Sequence, residues 1–254
     1  MRILLTILVF IFAPVLTEQG LQIGEININN QKIKIMKMNL NNPAFLQMAG
    51  NAGKAASLFY VTSLTDGNEI TFDGTKLGAF ADNVQYSTDS AETWEQLTED
   101  TVITLDAEDT IYFRNFTKEV YNSTMSKRVL KASDSYSVGG DITALFYPDV
   151  NLPDYAFLTA FENDTNLFSA SALILPATSL AKSCYNAMFS GCTGLTVAPT
   201  LPATSLAESC YLSMFSGCTG LTVAPTLPAT SLAEDCYDSM FSNCTGLTEI
   251  TCLA

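Results

Sequence analysis

The sequence predicts a multi-domain chain, an N-terminal antiparallel β-sandwich followed by a short α/β solenoid built from 26-residue units. Three observations predict it. A segment opening LPATSLA recurs at Leu175, Leu201 and Leu227, and near-copies at a fixed period mark units that stack on a common core. Between residues 58 and 147, short runs rich in β-branched and aromatic residues are separated by acidic and Gly/Asn turns, the pattern of a sandwich. The formal charge is −14 with no histidine, which limits both the partners and the chemistry.

The opening MRILLTILVFIFAPVL reads as an export signal over residues 1–20. Arg2 is the basic start, and residues 3–16 form an apolar run shorter than the roughly 20 residues a membrane-spanning helix needs. An uncleaved anchor and a buried first strand are the alternatives. Residues 21–57 read as a hairpin and linker. EININNQKIKIM alternates apolar and polar residues about an Asn29–Asn30 turn, so Ile33 and Ile35 can answer Ile26 and Ile28. Residues 41–57 carry linker composition.

Residues 58–148 form the predicted sandwich. LFYVTSL and EITFDG flank Asp66–Gly67–Asn68 as a further hairpin, and residues 83–116 supply three more strands. Trp94, the chain's single tryptophan, is expected to pack on that sheet.

Residues 149–254 form the predicted solenoid, with a divergent capping copy over 149–174 and repeats over 175–200, 201–226 and 227–252. SLAESCYLSMF reads as helix. Ser205 with Glu208, and Ser231 with Glu234, stand at capping-box spacing, and Lys182 breaks the box in the earlier copy. Ala207, Cys210, Tyr211 and Met214 form a stripe at helical spacing, and Gly217 or Asn243 ends it. LTVAPTLP reads as extended, since its prolines forbid helix. In the capping copy AFENDTNL aligns with MFSGCTGL, and Asp164 stands at a cysteine position.

Comparison of the copies separates surface from core. Lys182, Glu208 and Glu234 share one register, Asn186, Leu212 and Asp238 another, and Val197, Val223 and Glu249 a third. Positions that accept charge are solvated. Leu195, Leu206, Cys210, Met214 and Phe215 hold their type and are assigned to the core. The seven cysteines admit three readings. Disulfides suit an exported chain, but equivalent residues of stacked units point in parallel, a poor bridging geometry. Metal binding at eight-residue spacing without histidine matches no zinc pattern. Buried free thiols acting as small hydrophobes are the favoured reading.

Other chemistries find little support. Polyanionic partners, nucleic acid or anionic membrane, are repelled by the acidic chain. No Ser–His or Cys–His pair can form. Asp106, Glu108 and Asp109 with Asp89 or Glu92 could hold calcium, although such clusters are more often solvated turns. No two carboxylates are paired by the sequence as glycoside hydrolysis requires. The Asn-x-Ser/Thr triplets at Asn115, Asn122, Asn163 and Asn243 bear on glycosylation in a eukaryotic secretory pathway alone. The expectation is no enzyme, no catalytic residue, no metal and no cofactor.

With MF, CTGLT, AP and LPATSLA recurring in order, the chain resembles the BspA-like leucine-rich repeat surface proteins of gut anaerobes over residues 152–254. The stretch VQYSTDSAETWEQLTEDTVITLDAEDTIYFR is similar to the β module that often precedes such repeats. The resemblance implies a leucine-rich-repeat solenoid displayed outside the cell, acting in adhesion and protein binding. The repeat geometry places the binding residues on the exposed extended segments: Thr196, Val197, Thr222, Val223, Thr248 and Glu249. The expected partner is a protein or glycan on another cell or matrix, with no integral membrane span. Self-association through the uncapped C-terminal end is a further expectation, and a phage virion component the alternative to a secreted, cell-surface protein.

Overall fold

The computed structural model describes residues 21–28, 31–38, 58–73, 84–98, 100–115, 130–145 and 152–254. The export signal, the Asn29–Asn30 turn, the 41–57 linker and Asn122 lie outside the described residues.

The chain divides into two units, Met1–Ala52 and Gly53–Ala254. In the first, β1 (Leu21–Ile28) and β2 (Gln31–Met38) form an antiparallel hairpin in which Ile26 faces Ile33 across the pair, as the alternation of the sequence requires.

The second unit begins with strands in two sheets. One is six-stranded in the order β11-β10-β3-β8-β5-β6 and the other three-stranded in the order β7-β4-β9. The strands are β3 (Phe59–Ser63), β4 (Asn68–Phe72), β5 (Val84–Ser87), β6 (Glu95–Gln96), β7 (Val102–Leu105), β8 (Thr110–Asn115), β9 (Leu130–Ala132), β10 (Tyr136–Asp141) and β11 (Leu167–Ile174). The expected hairpin at Asp66–Gly67–Asn68 is corrected, because β3 pairs with β8 and β10 while β4 pairs with β7 and β9. The turn, with Gly67 at φ 68°, carries the chain from one sheet to the other. Phe59, Val61, Ile111 and Phe113 from the large sheet and Ile70, Phe72, Ile103 and Leu105 from the small one are buried in one cluster. Phe72 meets Phe113 edge-on at 5.9 Å.

The predicted fold class is overturned in two respects. The larger sheet is mixed, because β11 joins β10 in parallel. The repeats contain no α-helix: among the described residues the one helical element is a 3-10 turn at Ile142–Leu145. The extended segments form no continuous sheet either. They meet at isolated bridges, Ser169 with Val197, Ser179 with Ser205 and Leu227 with Cys252, because Pro199, Pro202, Pro225 and Pro228 deny the ladder its donors. A leucine-rich-repeat α/β solenoid is therefore not what this chain forms.

In place of helix, each copy folds as consecutive tight turns. Every fourth residue lies at positive φ: Tyr155, Thr159 and Asn163, then Ser183, Ala187 and Gly191, then Ser209, Ser213 and Gly217, then Asp235, Ser239 and Asn243. The N–H groups of Cys184, Asn186, Met188, Ser190 and Cys192 close turns onto carbonyls three residues back, while those of Ser183, Tyr185, Ala187, Phe189 and Gly191 donate to the next copy. Five such bonds join each pair of neighbouring copies. The backbone is thereby satisfied without helix or regular strand. The capping boxes are absent: the Ser205 carbonyl accepts from Leu180 N–H, and the Glu208 carboxylate meets Lys182 Nζ at 2.7 Å.

The first copy docks on the sheets through Asp164. Its Oδ2 accepts from the Tyr136 hydroxyl at 2.8 Å, and its Oδ1 accepts from Asn166 and Leu167 N–H. Phe161 lies 6.4 Å from Phe59, so the buried cluster runs unbroken from the sheets into the repeats.

Candidate binding surface and the interior of the repeats

Two aromatic ladders run through the copies. Phe157, Tyr185, Tyr211 and Tyr237 stack at 5.5, 5.7 and 5.9 Å, and Phe161, Phe189, Phe215 and Phe241 at 5.3, 5.5 and 5.7 Å. Each step is close to strand spacing, which the intercopy hydrogen bonds impose. The copies are held this close by small residues. A Cβ on Gly220 would sit 2.8 Å from the Thr193 carbonyl oxygen, and one on Gly246 2.8 Å from that of Thr219.

The thiols belong to this interior. Cys184, Cys192, Cys210, Cys218, Cys236 and Cys244 are buried and Cys252 is exposed; none is bridged. The Cys192, Cys218 and Cys244 thiols donate to the carbonyls of Phe161, Phe189 and Phe215 in the preceding copy at 2.9, 3.0 and 2.9 Å. Asp164 occupies the same register in the first copy, where its acceptor oxygens serve Tyr136 instead. Burial pushes the Cys184 thiol up to about 12 and the Cys210 thiol up to about 11, which suppresses the nucleophilic thiolate at neutral pH. The hydroxyls of Tyr185, Tyr211 and Tyr237 are buried with no hydrogen-bond partner.

The residues expected to bind fall at equivalent positions of successive copies. Thr196 is half-buried, with N–H and Oγ1 both donating to the Phe168 carbonyl at 2.9 and 3.1 Å. Val197 is 46% exposed and its carbonyl accepts from Ala170 N–H. Thr222 is exposed and Val223 is 74% exposed. Thr248 and Glu249 are exposed as well. Sequence reasoning missed the exposed apolar residues Phe168, Ile174, Leu232 and Ile250. Phe168 could have been found, because it stands at the aligned register of Thr196 in the divergent copy.

The carboxylates weighed for calcium do not converge, and among the described residues no cluster could hold a metal ion. Asp89 is consumed by its own turn. It accepts from the Ser87 hydroxyl, the Thr93 hydroxyl and N–H, and Glu92 N–H. Those bonds, the Ser87 hydroxyl foremost, hold its carboxyl well below the usual carboxylate range. Asp109 accepts from Asp106 N–H within its own turn, and Asp106 accepts from Gly67 N–H of the turn between β3 and β4. Trp94 follows this turn and lies under the Arg114 guanidinium of β8, 4.0 Å from its ring centre, so it packs on the sheet. Among the described residues no helix is long and apolar enough to cross a membrane.

No protein-family description, curated protein or solved structure matches the chain. Nothing in these comparisons identifies it as a BspA-like protein.

Proposed function

We propose that the chain is a non-enzymatic binding protein displayed outside the cell, engaging a protein or glycan through the row Thr196, Val197, Thr222, Val223, Thr248 and Glu249. The observation that carries this reading is the contrast between copies. Across the repeats at 175–252, Cys210, Tyr211, Met214 and Phe215 and their counterparts keep their identity, whereas the Val197, Val223 and Glu249 register varies and is exposed. Val223, the most exposed large apolar residue among those described, has no packing role, and a solvent-facing apolar side chain in a repeated row suits a contact surface. The aromatic ladders advance by 5.3–5.9 Å from copy to copy, a repeat that an extended ligand can follow. The likeness of the repeat motifs to those of surface proteins supports display outside the cell.

The test is the double substitution Thr222→Arg and Val223→Glu, with binding to cultured cells and extracellular matrix as readout. Both sites are exposed, so the variant is expected to keep its melting temperature and to lose binding by about tenfold or more, the loss of one good contact cluster. Undiminished binding to every surface would place the ligand elsewhere.

A further inference from the structure

One register of the repeats carries a polar group that ring stacking does not use. The second aromatic ladder is phenylalanine throughout, Phe161, Phe189, Phe215 and Phe241. The first begins with Phe157 and continues with Tyr185, Tyr211 and Tyr237. Phe157 shows that a phenyl ring fills this register, so the three hydroxyls add something that packing does not require. Tyr185 and Tyr211 are 0% and 1% exposed. Their hydroxyls, with that of Tyr237, are buried without a hydrogen-bond partner among the described residues. A phenol taken out of water and left unpaired destabilises the fold, here in three successive copies.

The spacing of the rings supplies the remedy. Tyr185 and Tyr211 stack at 5.7 Å with 11° between their planes, and Tyr211 and Tyr237 at 5.9 Å with 10°. Rings so nearly parallel carry their hydroxyl oxygens forward by about the same step, roughly 6 Å, or two O–H···O bonds of about 3 Å. That is too far for one phenol to bond the next and suits one water between each pair. A water both donates and accepts, as a phenol does. The bonds can therefore run in one direction through hydroxyl, water, hydroxyl, water and hydroxyl, each polarising the next. The buried thiols of Cys184 and Cys210 lie within electrostatic reach of the Tyr211 hydroxyl and offer the waters a further polar contact. Other occupants fit worse. Among the described residues no cluster could hold a metal ion, and an apolar guest would leave the hydroxyls unpaired.

We propose that the interior of the repeats binds a file of ordered waters, one between Tyr185 and Tyr211 and one between Tyr211 and Tyr237. Both positions lie inside the stack, between neighbouring copies, and the file is separate from the exposed Thr222–Val223 row.

The test uses the whole chain and the magnetic relaxation dispersion of oxygen-17 water, whose amplitude counts the waters held inside a protein. Tyr211→Phe keeps the ring, as Phe157 does at the same register, and removes the hydroxyl that both waters share. Its amplitude is expected to fall below that of the wild type by the equivalent of about two waters, and that of Tyr185→Phe by about one. The melting temperature of Tyr211→Phe is expected to fall by about 2–4 °C, the shift that one lost buried hydrogen bond produces in a chain of this size. A dry row predicts the opposite sign, because phenylalanine would relieve an unpaired hydroxyl. Undiminished amplitude in Tyr211→Phe, or a melting temperature that stays or rises, would overturn the proposal. Tyr155→Phe, at an exposed tyrosine, is the control and is expected to change neither quantity.

Discussion

Ser213 has a backbone φ of 54°, and Ser209 and Gly217, four residues to either side, have 54° and 75°. An L-residue there costs about 1–2 kcal/mol, which the copy recovers because each such residue lets one N–H close a turn and the next reach the neighbouring copy. Ser213→Gly separates this backbone from the helix that the apolar stripe suggested. In an α-helix the change would cost about 0.5 kcal/mol. At positive φ the relief of strain exceeds glycine's added chain entropy of about 0.5–1 kcal/mol, for a net gain of up to about 1 kcal/mol. We expect the melting temperature to rise by about 2 °C, and a fall would speak for helix. Far-ultraviolet circular dichroism of the same samples is expected to lack the helical minimum near 222 nm.

Within one turn element, two glycines are fixed for different reasons. Gly217 is needed for its positive φ, and Asn243 replaces it in the fourth copy at φ 59°, as asparagine can. Gly220 is needed for space, since a Cβ would meet the Thr193 and Leu195 carbonyl oxygens at 2.8 and 3.0 Å, and backbone cannot move aside cheaply. Gly220→Ala is therefore expected to cost roughly 1–3 kcal/mol and to lower the melting temperature by several degrees. This difference shows how far the sequence could be read. The period and most of the buried set were legible, because stacking demands that core positions match while surface positions drift. The exceptions are Leu206 of the assigned core, which is only half-buried, its counterpart Leu232, which is 59% exposed, and Thr196 of the expected exposed row, which is half-buried. The backbone was not legible, because YxxMFxxC buries positions at intervals of four, too near the helical 3.6 to be told apart over so few residues. The missed signal was Ser, Asp, Asn, Ala or Gly at every fourth place in the repeats, small or turn-tolerant residues where a helix would take larger ones. The crossing of β4 into the second sheet was equally hidden, since a local Asp-Gly turn reports a reversal of the chain and not which strand lies beside it.

Across the whole molecule, burial has placed a row of phenols and thiols where they cannot ionise. Burial raises the Tyr237 hydroxyl to about 12 and those of Tyr185 and Tyr211 well above the ordinary phenol value of 10.0. The Cys218 thiol is pushed up to about 12, and that of Cys244 also upward, from an ordinary 9.0. The folded state thus holds protons that the unfolded chain releases as pH climbs past 9 for thiols and 10 for phenols. Where the folded state binds more protons, stability falls with rising pH. The contribution of these groups is whole below the unfolded-state pKa values and is lost as pH approaches those of the folded state. Urea midpoints are accordingly expected to be flat from pH 7 to about 9 and to drop steeply above it, with the phenolate absorbance of the buried tyrosines appearing together with unfolding. At neutral pH the same burial should leave Cys252 as the one thiol among the seven that a brief alkylation labels, the other six reacting only after denaturation. Mass spectrometry that found Cys184 or Cys210 labelled in the native protein would mean that the copies do not share a closed interior.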